Sequence, residues 1–335
     1  MENVVKTRLQ SVLFADAQIY RNIVILPLVA EAGGGLQYRT LGESLAAGEV
    51  TITEVSTAGS VPELQVLNRG HRPVLLVDGE EVAGAKQNRV LNTSILVKAN
   101  SETRIPVSCT EQGRWCYLST AFAESGNVMA YRSRSKKTRS VHASLEESGA
   151  HHSDQGEVWQ EIVKLHGKAG THSPTSAMKD VFDARGNDLR KFEEAFKPVP
   201  NQVGLLAFIG GSPAGLELVS LASVYAKLHP KLVRSYTLEG LLDAKSQPCD
   251  PGNILPMARK FLDEIIAAEE HQFPSIGHGI DHRYRGHSNL NNQFSTICGT
   301  ALVHENEVIH AAFFRLEKTG HPGRLEFDRS QGRAS

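Results

Sequence analysis

Residues Leu75–Asn92 read LLVDGEEVAGAKQNRVLN, and after a short apolar run Arg104–Trp115 reads RIPVSCTEQGRW. A sheet built for stability alone alternates apolar and polar residues, with fewer hydrogen-bonding side chains at its turns. Here Asp78, Glu80, Glu81, Lys86, Gln87, Asn88, Arg89, Asn92, Cys109, Glu111, Gln112 and Arg114 crowd around two strand-like segments. The stretch therefore predicts a β-rich region with a polar site at its turns.

Outward from that stretch, residues 20–29 (YRNIVILPLV) form an apolar run of strand length, and residues 50–56 (VTITEVS) alternate as a half-buried strand does. A short helix suits residues 41–47. Further strands are expected over 64–68, 74–77, 81–83, 90–98 and 103–108, separated by turn pairs such as Asp78-Gly79 and Asn100-Ser101. Short strands at this spacing predict a sandwich or barrel-like β domain over residues 15–125.

Residues 126–200 change character. YRSRSKK at 131–137 and the polar run after it predict an exposed loop, with Arg132, Arg134, Lys136, Lys137 and Arg139 solvated or, alternatively, contacting phosphates. Helices follow over 154–167, capped by Asp154 and stopped by Gly167, and over 174–197, with Ser173 as cap and Gly186 as an interruption. Residues 201–316 carry a strand (202–209), a GGSPAG turn read as a hairpin, and helices over 220–229, 232–244 and 254–270. A second hairpin of 296–304 and 307–314 turns at Glu305-Asn306. The fold class is α+β, with a β-rich N-terminal half and a C-terminal half of hairpins and helices. The polar tail 317–335 is expected to be mobile.

The 335 residues are 40% apolar and 22% charged, with a net charge of −1. That is a globular composition, and its balance of charge argues against nucleic acid or an anionic membrane as partner. Neither a leader pattern nor an apolar run of about 20 residues occurs, so a cytoplasmic location is expected. Cys109, Cys116, Cys249 and Cys298 form no CxxC pair and read as buried or half-buried thiols.

Lys86 and Arg89 offer cationic donors, and Gln87, Asn88 and Asn92 offer donors and acceptors. With Arg114, Asp281 and Arg283 they form the candidate ligand-binding set. On a regular strand Lys86 and Arg89 would face opposite ways, unless a turn at Gly84 intervenes. The competing reading pairs Asp78, Glu80 and Glu81 with Lys86 and Arg89 across a hairpin. Catalytic candidates are Glu81, Cys109 and Asp281, and Cys109 needs a base or a cation to lower its thiol pKa. The segment GHGIDHRYRGH at 277–287 reads as a Gly-flanked loop, with His278 and His282 as candidate metal ligands.

Residues 61–97, the later IPVSCTEQGRW, KLVRSYTLEGL and CGTALVHENEVIHAAFF together resemble the ARG and Rhodanese-Phosphatase-superfamily-associated protein domain family, over about residues 20–315. The family's name records an association with ADP-ribosylglycohydrolase and phosphatase-type proteins. The resemblance therefore implies a link to nucleotide or ADP-ribose-derived ligands and supplies no catalytic residues. The first functional expectation is binding or sensing of such a small molecule in a polar pocket between the two halves. A hydrolase using acidic and histidine residues, with or without a metal, is the second, and a non-enzymatic structural or assembly protein the third. Cofactor and homo-oligomeric state are left open.

Overall fold

The computed structural model describes residues 3–30, 35–56, 62–243, 250–287 and 295–316. The fold is α+β, as expected. Its largest element is an antiparallel sheet ordered Leu13–Phe14, Ile23–Val29, Gln202–Ile209, Ser212–Val219, Glu307–Arg315, Ser295–His304, Ile280–His287 and Glu269–Pro274, with Gln18–Tyr20 also paired to Ile23–Val29. The segment 15–125 thus contributes an early strand, Ile23–Val29, to a sheet otherwise built largely from residues 201–316.

The apolar run of that strand has a direct cause. Ile23 and Ile25 enter one core with helix Ala222–Leu242. Val24, Leu26 and Leu28 enter a second core, with helices Val4–Ser11 and Ile254–Ile266. A strand buried on both faces has no solvent side to alternate toward.

The expected β-rich region folds as two smaller sheets. One is ordered Phe122–Val128, Glu80–Gly84, Arg89–Leu91, Ser101–Cys109, Glu63–Asn68 and Val50–Glu54; the other is Ile95–Val97, Val74–Leu76 and Arg39–Thr40. Leu41, Ile52, Leu64, Val66, Leu76, Val82 and Ile95 fill a core of their own there.

Both predicted hairpins form. Gly210 and Gly211 have φ of 57° and 77°, and Glu305 and Asn306 have φ of 48° and 62°, the left-handed pairs a two-residue hairpin turn requires. Asp154 caps helix Gln155–Ala169, but the helix runs past Gly167 to a left-handed Gly170. The predicted helix 174–197 is two, Met178–Ala184 and Gly186–Ala195, broken where Gly186 was expected to interrupt it. Pro230 lies inside one continuous helix, Ala222–Leu242, in place of the two expected.

Two segments differ in kind. Residues 131–148 are a helix and not a loop, and Arg134, Lys137 and Thr138 on it are buried. Residues 280–287 are a strand paired on both sides, not a Gly-flanked loop. Among the cysteines, Cys109 and Cys298 are buried, Cys116 is exposed against expectation, and Cys249 lies outside the described residues, as does the tail 317–335. No helix among the described residues is long and apolar enough to cross a membrane.

Candidate functional site

Directly opposed residues of antiparallel strands point to one face. The register therefore aligns Glu217, Ala312, Thr300, Arg283 and His271 in one row across five strands of the large sheet. The neighbouring row holds His310, Leu302, Asp281 and Phe273. Helix Tyr131–Ser148 lies over this face. Its Arg134 stands over the Phe314 ring at 5.0 Å, the Ser135 carbonyl accepts from Cys298 Sγ at 3.3 Å, and its His142 meets His271. A charged sheet face selects a charged helix face, which is why neither segment shows apolar periodicity.

The VDGEE turn docks into this layer. Asp78 accepts from Arg134 Nε at 3.0 Å, from Thr138 at 3.3 Å and from Lys137 Nζ; Arg134 also donates to both oxygens of Glu217. Asp281 accepts from Arg283, Thr93 and Thr300, with His151 Nε2 at 3.0 Å. Asp78, Arg134, Lys137, Glu217, Asp281 and Arg283 are all essentially sealed from solvent. Burial opposes the charge of Asp78, but Lys137 and Arg134 hold its pKa below the ordinary carboxylate value. Asp281 is likewise held low against burial, by Arg283 and His151. Three carboxylates facing three cations make a balanced network, and such a network fixes the docking geometry between layers. Ser94 Oγ, 2.8 Å from His310 Nδ1, and Glu217, 3.4 Å from His310 Nε2, repeat the order of a hydrolytic relay, but all three are buried.

The second polar centre is the turn at 84–89. Gly84 has φ of 124° and Ala85 a φ of 37°, so the chain leaves the strand geometry here. Lys86 and Arg89 consequently share one ring: Lys86 Nζ lies 5.2 Å and Arg89 Cζ 5.7 Å from the Trp115 centroid, and Lys86 also stands 5.1 Å over Tyr117. Asn88 and Arg114 hold the turn in place. Asn88 Oδ1 accepts from Gly84 N at 3.1 Å, and Arg114 donates to the Ala85 carbonyl at 2.7 Å and to Glu111 at 2.6 Å.

Arg89 is wholly buried, and its charge is poorly matched. Nη1 donates to Gln87 Oε1 at 3.0 Å, while Nε and Nη2 have no hydrogen-bond partner and Glu54 Oε1 comes only within 3.8 Å of Nη2. Burial lowers the Arg89 pKa, against the pull of Cys109 and Glu54. The Cys109 thiol, opposite Arg89 in the register, is pushed up by burial although Arg89 opposes the shift.

A family model described as the ARG and Rhodanese-Phosphatase-superfamily-associated Protein domain matches residues 11–314. The chain belongs to this family. The match takes in all three sheets, so the sealed network and the 84–89 turn both lie within the ARG and Rhodanese-Phosphatase-superfamily-associated domain. No curated protein and no solved structure matches the chain.

Within this associated domain the candidate residues separate into groups. Lys86, Gln87 and Arg89 gather at the turn, with Asn88 and Arg114 bracing it. Asn92, Asp281 and Arg283 belong to the sealed network, where Asn92 donates to the His151 carbonyl at 3.0 Å. The hairpin pairing of Asp78, Glu80 and Glu81 with Lys86 and Arg89 does not form: Glu80 binds Lys231, and Glu81 accepts from Thr110 at 2.7 Å. Burial raises the Glu81 pKa from 4.5 to about 7. His278 packs on His304, and His282 Nδ1 lies 2.6 Å from Glu270. Among the described residues, the group of three ligand-type side chains that converges is a different one, His142, Glu146 and His271. A cleft of about 220 Å³ is lined by Arg132, Lys136, Lys164 and Lys168, whose charges meet Glu161 and Glu239. Sequence reasoning missed Trp115 and Tyr117 as partners of the cations, although their position just after Arg114 was a usable signal.

Proposed function

We propose that this domain binds an anionic, base-carrying small molecule of the nucleotide or ADP-ribose class at the 84–89 turn. The observation that carries the reading is the pair of exposed rings, Trp115 and Tyr117, with Lys86 and Arg89 gathered on their faces. Arg89 lies buried beneath that surface with two nitrogens lacking hydrogen-bond partners, and its charge adds a positive field that favours an anion there. Lys86 adds a second cation, and the exposed rings of Trp115 and Tyr117 offer faces on which a base stacks. The family's association with ARG proteins points to the same ligand class. Asp281 and Arg283 are engaged elsewhere, so the ligand wall here is Lys86, Gln87 and Arg89 with the two rings.

The test is a thermal-shift and titration panel of ADP-ribose, nucleoside mono- and diphosphates and inorganic phosphate, on the natural chain and on Arg89→Met. A ligand-dependent rise in Tm that Arg89→Met abolishes is expected. A flat response across the panel overturns the reading.

A further inference from the structure

Helix Tyr131–Ser148 carries His142 and Glu146 four residues apart, and the edge strand Glu269–Pro274 presents His271 to them. The three ligand-type atoms form a small triangle. His271 Nδ1 lies 3.0 Å from Glu146 Oε1 and 3.3 Å from His142 Nε2, and His142 Nε2 lies 3.6 Å from Glu146 Oε1. Ligands about 2.0–2.2 Å from a zinc-class ion are separated by about 3.0–3.5 Å at right or tetrahedral angles. The observed triangle has that size.

The surroundings orient each atom inward. Glu269 Oε1 lies 3.2 Å from His271 Nε2 and accepts a proton held there, the tautomer that turns the Nδ1 lone pair toward the triangle. Arg285 Nη2 donates to Glu146 Oε2 at 2.7 Å, leaving Oε1 to face the histidines. Two ring nitrogens and a carboxylate oxygen this close need a hydrogen atom or a cation between them. A proton joins two such atoms at a time, whereas a metal ion joins all three.

We propose that His142, Glu146 and His271 form a binding site for a divalent first-row transition ion of the zinc class. Two histidines and one carboxylate are a ligand set suited to such ions, and they leave further coordination positions for water or a substrate atom. Glu146 and His271 are partly exposed, so those positions face solvent. The site stands on different residues from the 84–89 turn, and neither proposal depends on the other.

The full chain, stripped with chelator, is titrated with Zn²⁺ and with Co²⁺, following bound metal by mass spectrometry and the visible absorption of cobalt. One ion per chain is expected, with a cobalt spectrum of low coordination number. His271→Ala and Glu146→Gln should each abolish it, and Glu269→Gln should weaken affinity by about 10–100-fold. Metal-free melting temperatures confirm that each variant folds; should His271→Ala not fold, the two glutamate variants decide. Absence of binding in the natural chain, or binding that survives these substitutions, overturns the proposal and leaves the triangle as a proton-bridged contact.

Discussion

Arg89 and Trp115 meet as cation over ring, 5.7 Å from guanidinium carbon to indole centroid, with Lys86 on the same ring at 5.2 Å. The ring joins two cations that a regular strand would have sent to opposite faces. Because Trp115 is exposed, its contribution lies more in what it presents than in what it buries.

Trp115→Ala should therefore leave stability nearly intact, with a loss of about 1 kcal/mol or less, and remove most of the nucleotide-dependent Tm shift. Denaturant unfolding with and without ligand checks both halves. A large stability loss would assign Trp115 to packing instead.

Asp78 holds Arg134 and Lys137 together inside the layer between sheets. Asp78→Ala strands Lys137, while Arg134 keeps Glu217, and should cost about 3–5 kcal/mol in urea unfolding. The same group sets an acid limit. Its folded pKa lies below its unfolded value, so its stabilisation is complete above about pH 4 and is lost as pH falls toward the lowered value. Asp281 acts in the same direction. Tm measured downward from pH 6 should fall below about pH 4, and a flat profile there would contradict the network.

Glu81 has the opposite sign. Its folded pKa, about 7, exceeds its unfolded value near 4.5, so the folded state holds the extra proton and stability declines as pH rises between the two. Glu81→Gln should remove that decline and raise Tm more at pH 8 than at pH 5. An equal shift at both pH values would mean that Glu81 is ionised in its site.

Gly84 has a φ of 124°, and a Cβ there would come within 2.6 Å of Ser119 Oγ and 3.1 Å of the Ala121 carbonyl. Gly84→Ala should cost about 1–3 kcal/mol and, by shifting Lys86 and Arg89 off the Trp115 ring, weaken ligand binding as well. Unfolding curves paired with ligand titration test the coupling; a variant that loses stability yet binds normally would separate turn from site.

Much of this fold is legible in the chain because its local chemistry is ordinary. The Glu305-Asn306 and Gly210-Gly211 turns, the Asp154 cap and the doubly buried strand Ile23–Val29 each follow from one local rule. Helix Tyr131–Ser148 and strand Ile280–His287 hide for a physical reason. Each buries charged residues in the same sealed layer, Arg134 and Lys137 on Asp78 and Glu217, Asp281 and Arg283 on one another and Thr93, so in sequence both segments read as polar loops. The same concealment covered His142 and Glu146, whose four-residue spacing means something only once the segment is a helix. At the candidate site, sequence identified Lys86 and Arg89, while their common ring required the turn at Gly84 to be seen in three dimensions.

The strand Ile23–Val29 also sets an order of events during synthesis. Leu26 pairs with Leu206, so this early segment leaves the ribosome long before the strand that covers its edge exists. Until residues beyond Ile209 emerge, a wholly apolar strand with no alternation to shield it must be kept from pairing with other chains. The strands from Val50–Glu54 to Phe122–Val128 pair among themselves and so meet their partners within that interval. Growing chains released before residue 202 should accordingly depend on chaperones and aggregate more than the finished chain does.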